Sequence, residues 1–477
     1  PLYTRAKELV TKTGFTGNNP YSAYPRKERI KFTIQVKDDV TGTYVPKTAY
    51  LDMIQVRRIE NPKGVWRSAG KSDNFHVTLM RLPYDNAEDF KPFNSEGAWR
   101  ATIIDGGDDF ITLRSTVEGS GSDNVQQTGV KSIEGAGEHP IDFWIDFKGT
   151  IPEGATPRCA IVRVRYHNYT CEHDIFVRQG YAPITINGNA ESNNNPAWTS
   201  YNVYRFDANN APVYTKSPLE EGSLFRRGNR TAILASNNDR SGFTFGVEPT
   251  GSFNVLEFGS ATTSQKTWSQ LAPSTDDVTN RFKEWSIAGD HERIATIEDF
   301  YTLESTSIHS NINKAYGVLY GDGATETQKL VKEAFGYDHN EDPTNSKKGM
   351  RGCFVFNVNN SRNIFFPIGK SGYGRRKGMT SNGEKVGTLR YAQRTDYYNN
   401  DGTGNIQYVP LFYDLFERPG AIYQCRNRLE STNNEVKNSS AFDINYFTMG
   451  FEGFENGASN NNNGSDSDAC FIRTVKY

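Results

Sequence analysis

Apolar and polar residues alternate along much of the first 183 positions, and a period of two predicts strands. Ile30-Lys31-Phe32-Thr33-Ile34-Gln35-Val36 and Phe75-His76-Val77-Thr78-Leu79-Met80-Arg81-Leu82 each read as a half-buried strand. The clearest pattern is a hairpin: residues 159–166, a turn at His167-Asn168-Tyr169, then residues 171–179. Val162, Val164 and Tyr166 share one face of it, and Arg163 and Arg165 share the other. One face as core and the other wet is the requirement of an antiparallel sandwich. Asn61-Pro62-Lys63-Gly64 and Pro152-Glu153-Gly154 are turn clusters separating such runs. No helical period stands out between 28 and 183.

After Gly180-Tyr181-Ala182-Pro183 the pattern changes. The Asn-rich residues 184–196 read as a linker. Thr296-Ile297-Glu298-Asp299 is a capping box, in which a hydroxyl and a carboxylate each take an otherwise orphaned backbone N–H. A short helix to about Glu304 is expected. Thr325-Glu326-Thr327-Gln328 repeats the device before residues 330–335, with Gly336 placed as a left-handed cap. Beyond it, short aromatic strands alternate with Gly, Asn and Asp turns, as in Val409-Pro-Leu-Phe-Tyr-Asp and Arg418-Pro-Gly-Ala-Ile-Tyr, and the chain ends in a strand. Ser459-Asn-Asn-Asn-Asn-Gly-Ser-Asp reads as an exposed loop. The organisation expected is a 1–27 arm, a 28–183 β-sandwich, a 184–196 linker and a loop-rich α+β domain over 197–477.

Composition narrows the function. A chain of 477 residues exceeds one ordinary domain. The net charge of −2, from 54 Lys+Arg against 56 Asp+Glu, offers no electrostatic footprint for nucleic acid or a membrane surface. No run approaches the ~20 apolar residues of a membrane span. Pro1 reads as a processed start, with any export signal or lipid-anchor cysteine already removed. The abundance of Asn, Gly, Ser, Thr and Tyr points to a secreted or surface protein.

Of the five cysteines, Cys159, Cys171, Cys353, Cys425 and Cys470, at least one is unpaired, and their spacing matches no zinc motif. They read first as small buried hydrophobes. A Cys353 disulfide to Cys425 or to Cys470 stays open, whereas Cys159 and Cys171 do not face each other if the turn lies near Asn168. Gly-x-Ser-x-Gly and His-Glu-x-x-His are absent. His139, His167 and His173 fit no ligand spacing. Asp466 and Asp468 carry hard oxygens suited to Ca²⁺ but read as a turn, so no metal and no cofactor is expected. The ligand-binding candidates are Tyr373, Arg375 and Arg376, and Asp396, Tyr397, Tyr398 and Asn399. Their rings can stack on sugar faces while the polar groups bond hydroxyls. Asp443 and Asn445 read more as scaffold.

Glu221-Gly-Ser-Leu-Phe-Arg-Arg-Gly, Arg293-Ile-Ala-Thr-Ile-Glu-Asp-Phe, Gly349-Met-Arg-Gly-Cys-Phe-Val-Phe, Ile364-Phe-Phe-Pro-Ile-Gly and Cys470-Phe-Ile-Arg-Thr-Val-Lys occur in matching order. Together they resemble the Fibrobacter-type major paralogous domain, related to formylglycine-generating enzymes and C-type-lectin-like folds. Asn61-Pro-Lys-Gly-Val-Trp-Arg and Val162-Arg-Val-Arg-Tyr-His-Asn-Tyr resemble the sandwich that precedes it in fimbrillin-like lipoproteins of Bacteroidota. The resemblance implies a mostly β chain, with an Ig-like sandwich followed by a C-type-lectin-like domain of short helices and long loops. It also implies export to the cell surface or a fimbrium, outer-membrane anchoring before processing, and glycan or protein adhesion. Pilus subunits joined by strand exchange are then partners, although the closing strand belongs to the second domain's own sheet. A copper oxidase of that group needs two neighbouring cysteines. Cys470 stands alone and Cys425 precedes it by 45 residues, so no enzyme is expected. A lone glycan-capturing lipoprotein of a polysaccharide-utilisation system is the alternative, with the oxidase a distant third.

Overall fold

Four residues, His167, Asn168, Tyr169 and Thr170, join strands β11 (Arg158–Tyr166) and β12 (Cys171–Gln179), with Tyr166 paired to Cys171. His167, Asn168 and Tyr169 all have positive φ, at 52°, 54° and 65°. Contacts to a neighbouring segment hold this uncommon backbone. His167 Nδ1 accepts from the Glu96 N–H at 2.8 Å, and Asn168 Oδ1 accepts from the Ala98 N–H at 3.0 Å. Cys159 lies opposite Arg178 rather than Cys171, as the turn position predicts.

The computed structural model describes residues 26–55, 59, 61–81, 91–104, 106–116, 127–137, 139–226, 229–234, 251–271, 291–303, 311–327, 349–367, 420–424, 441–445, 450–453 and 469–477. The fold is mostly β. Among the described residues the hairpin sits in an eight-stranded sheet of order β22-β21-β20-β3-β12-β11-β7-β9. Its further members are β3 (Gly64–Arg67), β7 (Trp99–Ile103), β9 (Ser132–Gly135), β20 (Ile312–Tyr320), β21 (Met350–Asn357) and β22 (Asn363–Pro367). The short β3 runs parallel to both β12 and β20. Strands from both sides of residues 184–196 therefore share one sheet. Ile184, Thr185 and Ile186, within the expected linker, are buried.

Opposite one end of this sheet lies a three-stranded sheet of β4 (Phe75–Thr78), β10 (Asp142–Phe147) and β8 (Ile111–Ser115). Phe75, Val77, Leu113, Phe143 and Ile145 meet Trp99, Ala101, Val162, Val164 and Ile175 in one sandwich core. The same face continues over Tyr320, Val355 and Phe366, where Trp198 and Phe300 close it. The expected wet face is only partly wet. Arg163 and Arg165 are outward as predicted, but Ile161 and Phe176, on the same face, are buried against Trp66, Leu219, Leu319 and Phe354. A sheet covered on both faces loses the alternation that a one-sided sheet displays.

The remaining described strands form small sheets. One has the order β14-β13-β27-β19, from β13 (Ala197–Phe206), β14 (Pro212–Tyr214), β19 (Glu292–Ile294) and β27 (Arg473–Lys476). Its β27 is paired on both edges, so the closing strand lies inside a sheet of its own region. Another joins β15 (Ser223–Arg226), β16 (Ala232–Leu234), β17 (Ser252–Leu256), β18 (Thr263–Thr267) and β26 (Ala469–Cys470). β23 (Gly420–Gln424), β24 (Ala441–Asn445) and β25 (Gly450–Gly453) form a third, and β5 (Met80–Arg81) pairs with β6 (Lys91–Pro92). The helix α1 (Ile297–Tyr301) carries the predicted capping box: Thr296 Oγ1 accepts from the Asp299 N–H, and Asp299 Oδ2 accepts from the Thr296 N–H. It ends at Tyr301, before the expected Glu304, where the Thr302 hydroxyl bonds the Asp299 carbonyl at 2.5 Å. The second expected helix, 330–335, lies outside the described residues. No described helix is long and apolar enough to cross a membrane.

Three fully buried arginines bind the layers together. Arg67 donates to the carbonyls of Trp66, Asp73, Gly321 and Ala324. Arg178 donates to those of Gly180, Ala182 and Asn363, and to Ser200 Oγ. Arg473 donates to those of Thr199 and Phe365, and to Asn202 Oδ1. Each also lies over an aromatic ring, Arg178 at 4.6 Å from the Trp66 centroid. Five of the nine carbonyl partners, those of Asp73, Gly180, Ala182, Gly321 and Ala324, lie outside strands, and each guanidinium satisfies several acceptors at once.

Candidate functional site

Two surfaces stand out. The first is the hairpin of β1 (Arg26–Lys37) and β2 (Tyr44–Gln55), in register from Arg26↔Gln55 to Lys37↔Tyr44. Its turn closes itself: Asp38 Oδ1 accepts from the N–H groups of Val40 and Thr41 and from the Thr41 hydroxyl, while Gly42 takes φ 68°. These donors hold the Asp38 carboxyl below its ordinary value. The alternation read from Ile30 to Val36 is a strand, as predicted, but it is not half-buried. Phe32, Ile34 and Val36 are exposed, Ile34 by 62 %, and so is Leu51 on the partner strand. The period fixes which residues share a face but supplies nothing to cover it, and among the described residues this pair stands as a two-stranded sheet by itself. Lys31, Lys37, Tyr44 and Tyr50 decorate the opposite face, with Arg29 over the Tyr50 ring.

The second surface is a tyrosine seam where the two parts of the chain meet. Gly180, at φ 96°, turns the chain off β12, where a Cβ would lie 2.9 Å from Ile151 Cδ1. That turn sets Tyr181 over Trp66, at 6.2 Å between centroids. β13 brings Tyr201 to 5.8 Å from Tyr181, nearly perpendicular at 85°, and β14 brings Tyr214 to 6.4 Å from Tyr201. All three residues, with Tyr204, are partly exposed. Carboxylates flank them. The Tyr181 hydroxyl donates to Asp322 Oδ1 at 3.4 Å, and the Ser68 N–H holds the same oxygen at 2.9 Å. Tyr214 bonds Glu292, and its hydroxyl lies 2.5 Å from Thr474 Oγ1. Burial, and then the nearby carboxylates of Glu153, Asp322 and Glu220, push the Tyr201 phenol up, although Arg178 opposes the shift.

Glu220, at 3 % exposure, is the buried acid of this seam. Burial pushes its carboxyl up to about 7 from 4.5, against the Lys216 N–H and ammonium. The unfolded chain therefore ionises first as pH rises. Stability from this residue is complete below about pH 4.5 and is lost as pH climbs through about 7. Glu220→Gln is expected to raise the unfolding free energy at about pH 8 by about 2–3 kcal/mol and to flatten its pH dependence. Denaturant titrations at about pH 4 and pH 8 measure it. An unchanged pH profile would mean that water reaches the carboxylate.

Tyr373, Arg375, Arg376, Asp396, Tyr397, Tyr398 and Asn399 all lie outside the described residues, as do Asp466, Asp468 and Cys425. Asp443 and Asn445 fall in β24, between two paired neighbours. Cys470 pairs through its backbone with Phe225, and Cys353 is a buried thiol. The three histidines do not form a site: His139 is exposed, His167 holds the turn, and His173 Nε2 meets the Pro62 carbonyl at 2.6 Å. Among the described residues no group of three or more His, Cys, Asp or Glu side chains could hold a metal ion. The sequence reading missed Tyr181, Tyr201, Tyr214 and Glu220. Tyr201 and Tyr204 in a strand whose other residues are largely buried were the available signal. Compared with protein-family models and with curated proteins, the sequence matches none.

Proposed function

We propose that this chain is a non-catalytic adhesin subunit of a cell surface or fimbrium, which joins other subunits through β-strands and binds glycan or protein ligands. The observation that carries it is the β1–β2 hairpin. Isolated two-stranded hairpins are marginal in water, and exposed apolar faces with open edges mark places where another chain docks. Phe32, Ile34, Val36 and Leu51 form such a face, on a register that its own turn fixes. Main-chain pairing along an edge and side-chain packing on the face are the two elements of strand-based assembly.

Association of the full chain with itself, and adherence of chain-coated beads to glycan- and protein-coated surfaces, test the reading together. Wild type is expected to form concentration-dependent oligomers in sedimentation and to adhere. Phe32→Glu with Ile34→Glu is expected to be monomeric with an unchanged far-UV circular dichroism spectrum. A wild-type chain that stays monomeric and coats beads that adhere to nothing would remove the proposal.

A further inference from the structure

We infer that the seam of Tyr181, Tyr201 and Tyr214, with Asp322 and Glu220 beside it, is a binding site for an uncharged oligosaccharide. The inference deepens the adhesin reading and rests on it. Recognition of a sugar needs flat apolar surface for its C–H face and fixed polar groups for its hydroxyls. Tyr181, Tyr201 and Tyr214 supply the first. The three residues are partly exposed, and their ring centroids follow one another at 5.8 and 6.4 Å with the planes turned by 85° and 41°, so they offer a succession of ring faces and edges over more than a single sugar unit. Tyrosine suits this role, because it offers a rigid ring with a polar tip.

The polar groups are fixed as well. Asp322 is oriented by the Ser68 N–H and the Tyr181 hydroxyl, while Glu153 is exposed at the rim. No hydrogen bond joins the Tyr201 hydroxyl to another described residue, which leaves it available to a ligand. Acceptors dominate, and they match the O–H donors of a polyol.

The charge of the seam selects among ligands. Of the cations around the seam, Arg178 and Arg67 are fully buried with their donors taken by carbonyls and Ser200, while the exposed Lys216 and Lys476 act on the Glu220 and Glu292 carboxyls. An anionic glycan would face the Asp322 and Glu153 carboxylates. A basic peptide would find attraction, but Glu220 lies at 3 % exposure, too deep for a lysine or arginine head that stays hydrated. An uncharged polyol needs neither compensation. Rigidity favours binding too: Tyr181 rests on Trp66, which is fully buried and bonded to Asn363 Oδ1 at 2.9 Å, so little is lost in ordering the site.

The full chain is tested on an array of neutral, sulfated, sialylated and amino oligosaccharides alongside oligolysine peptides. The strongest neutral glycan is then titrated by calorimetry. Neutral glycans are expected to bind, Tyr201→Ala to weaken them about tenfold or more, and Tyr201→Phe to weaken them less. Asp322→Asn should shift the preference among neutral glycans that differ at one hydroxyl. Tyr201→Phe, which keeps the ring, separates loss of binding from loss of fold. Three results would overturn the inference: only charged glycans or oligolysine bind, Tyr201→Ala binds like wild type, or Tyr397→Ala and Tyr398→Ala abolish binding that Tyr201→Ala leaves intact. Under each, hairpin-dependent assembly and bead adherence would still report on the adhesin reading by itself.

Discussion

Arg178→Met is expected to lower the unfolding free energy of the full chain by about 3–5 kcal/mol, read from the midpoint and slope of a denaturant titration. Arg178 is fully buried, and burial pulls its guanidinium down to about 10, so it still carries its charge at neutral pH. It donates to three carbonyls, those of Gly180, Ala182 and Asn363, and to Ser200 Oγ. Methionine fills similar volume and keeps contact with Trp66, so packing is largely retained. The loss arises from the orphaned acceptors, each of which costs about 1–3 kcal/mol when buried without a donor. Arg165→Met supplies the control. Its side chain is 55 % exposed and it meets Glu172 at 3.6 Å, so its removal should change stability by no more than about 0.5 kcal/mol. A loss below about 1 kcal/mol at Arg178 would mean that water enters and takes over the carbonyls.

Gly64→Val should cost more than about 3 kcal/mol. Gly64 pairs with Phe176 on one side and Leu319 on the other, at the centre of the eight-stranded sheet. A Cβ there would lie 2.5 Å from two atoms of the Phe354 ring and 3.1 Å from Leu319 Cδ1. Phe354 has no room to retreat, since it packs against Phe365 at 4.8 Å and Phe176 at 5.1 Å. The backbone of Gly64 is not in the left-handed region, so the cost is steric and the damage local to the sheet centre. Hydrogen exchange should therefore quicken together in β3, β12 and β20. Gly64→Ala with Phe354→Leu should recover part of the loss, because the smaller side chain vacates the space a Cβ needs. Faster exchange in β3 alone would mean that the two halves of the sheet are not coupled through it.

Much of the local structure was legible. Thr296 and Asp299 announced α1 because a cap is a contact between residues three apart, visible at that range. The 167–169 turn and the burial of Val162, Val164 and Tyr166 followed from period and turn chemistry. The surfaces were less legible. Tyr201 and Tyr204 occupy outward positions of β13, and a tyrosine reads the same in sequence whether its ring packs, stacks or faces solvent. Glu220 carried no signal, since a carboxylate acquires its unusual character only when the fold buries it.

The sequence by itself determined that residues 28–183 are built of strands, where β1, β4, β11 and β12 run, where a helix begins, and that no long apolar span is present. Each of these depends on residues within a few positions of one another. Only the tertiary structure decided that β3 and β20 share a sheet, that Ile161 and Phe176 face a second core, and that Phe32 and Ile34 face none. A period of two states which residues share a face. The partner of that face is chosen by contacts between segments far apart in the chain, and those leave no trace in local alternation.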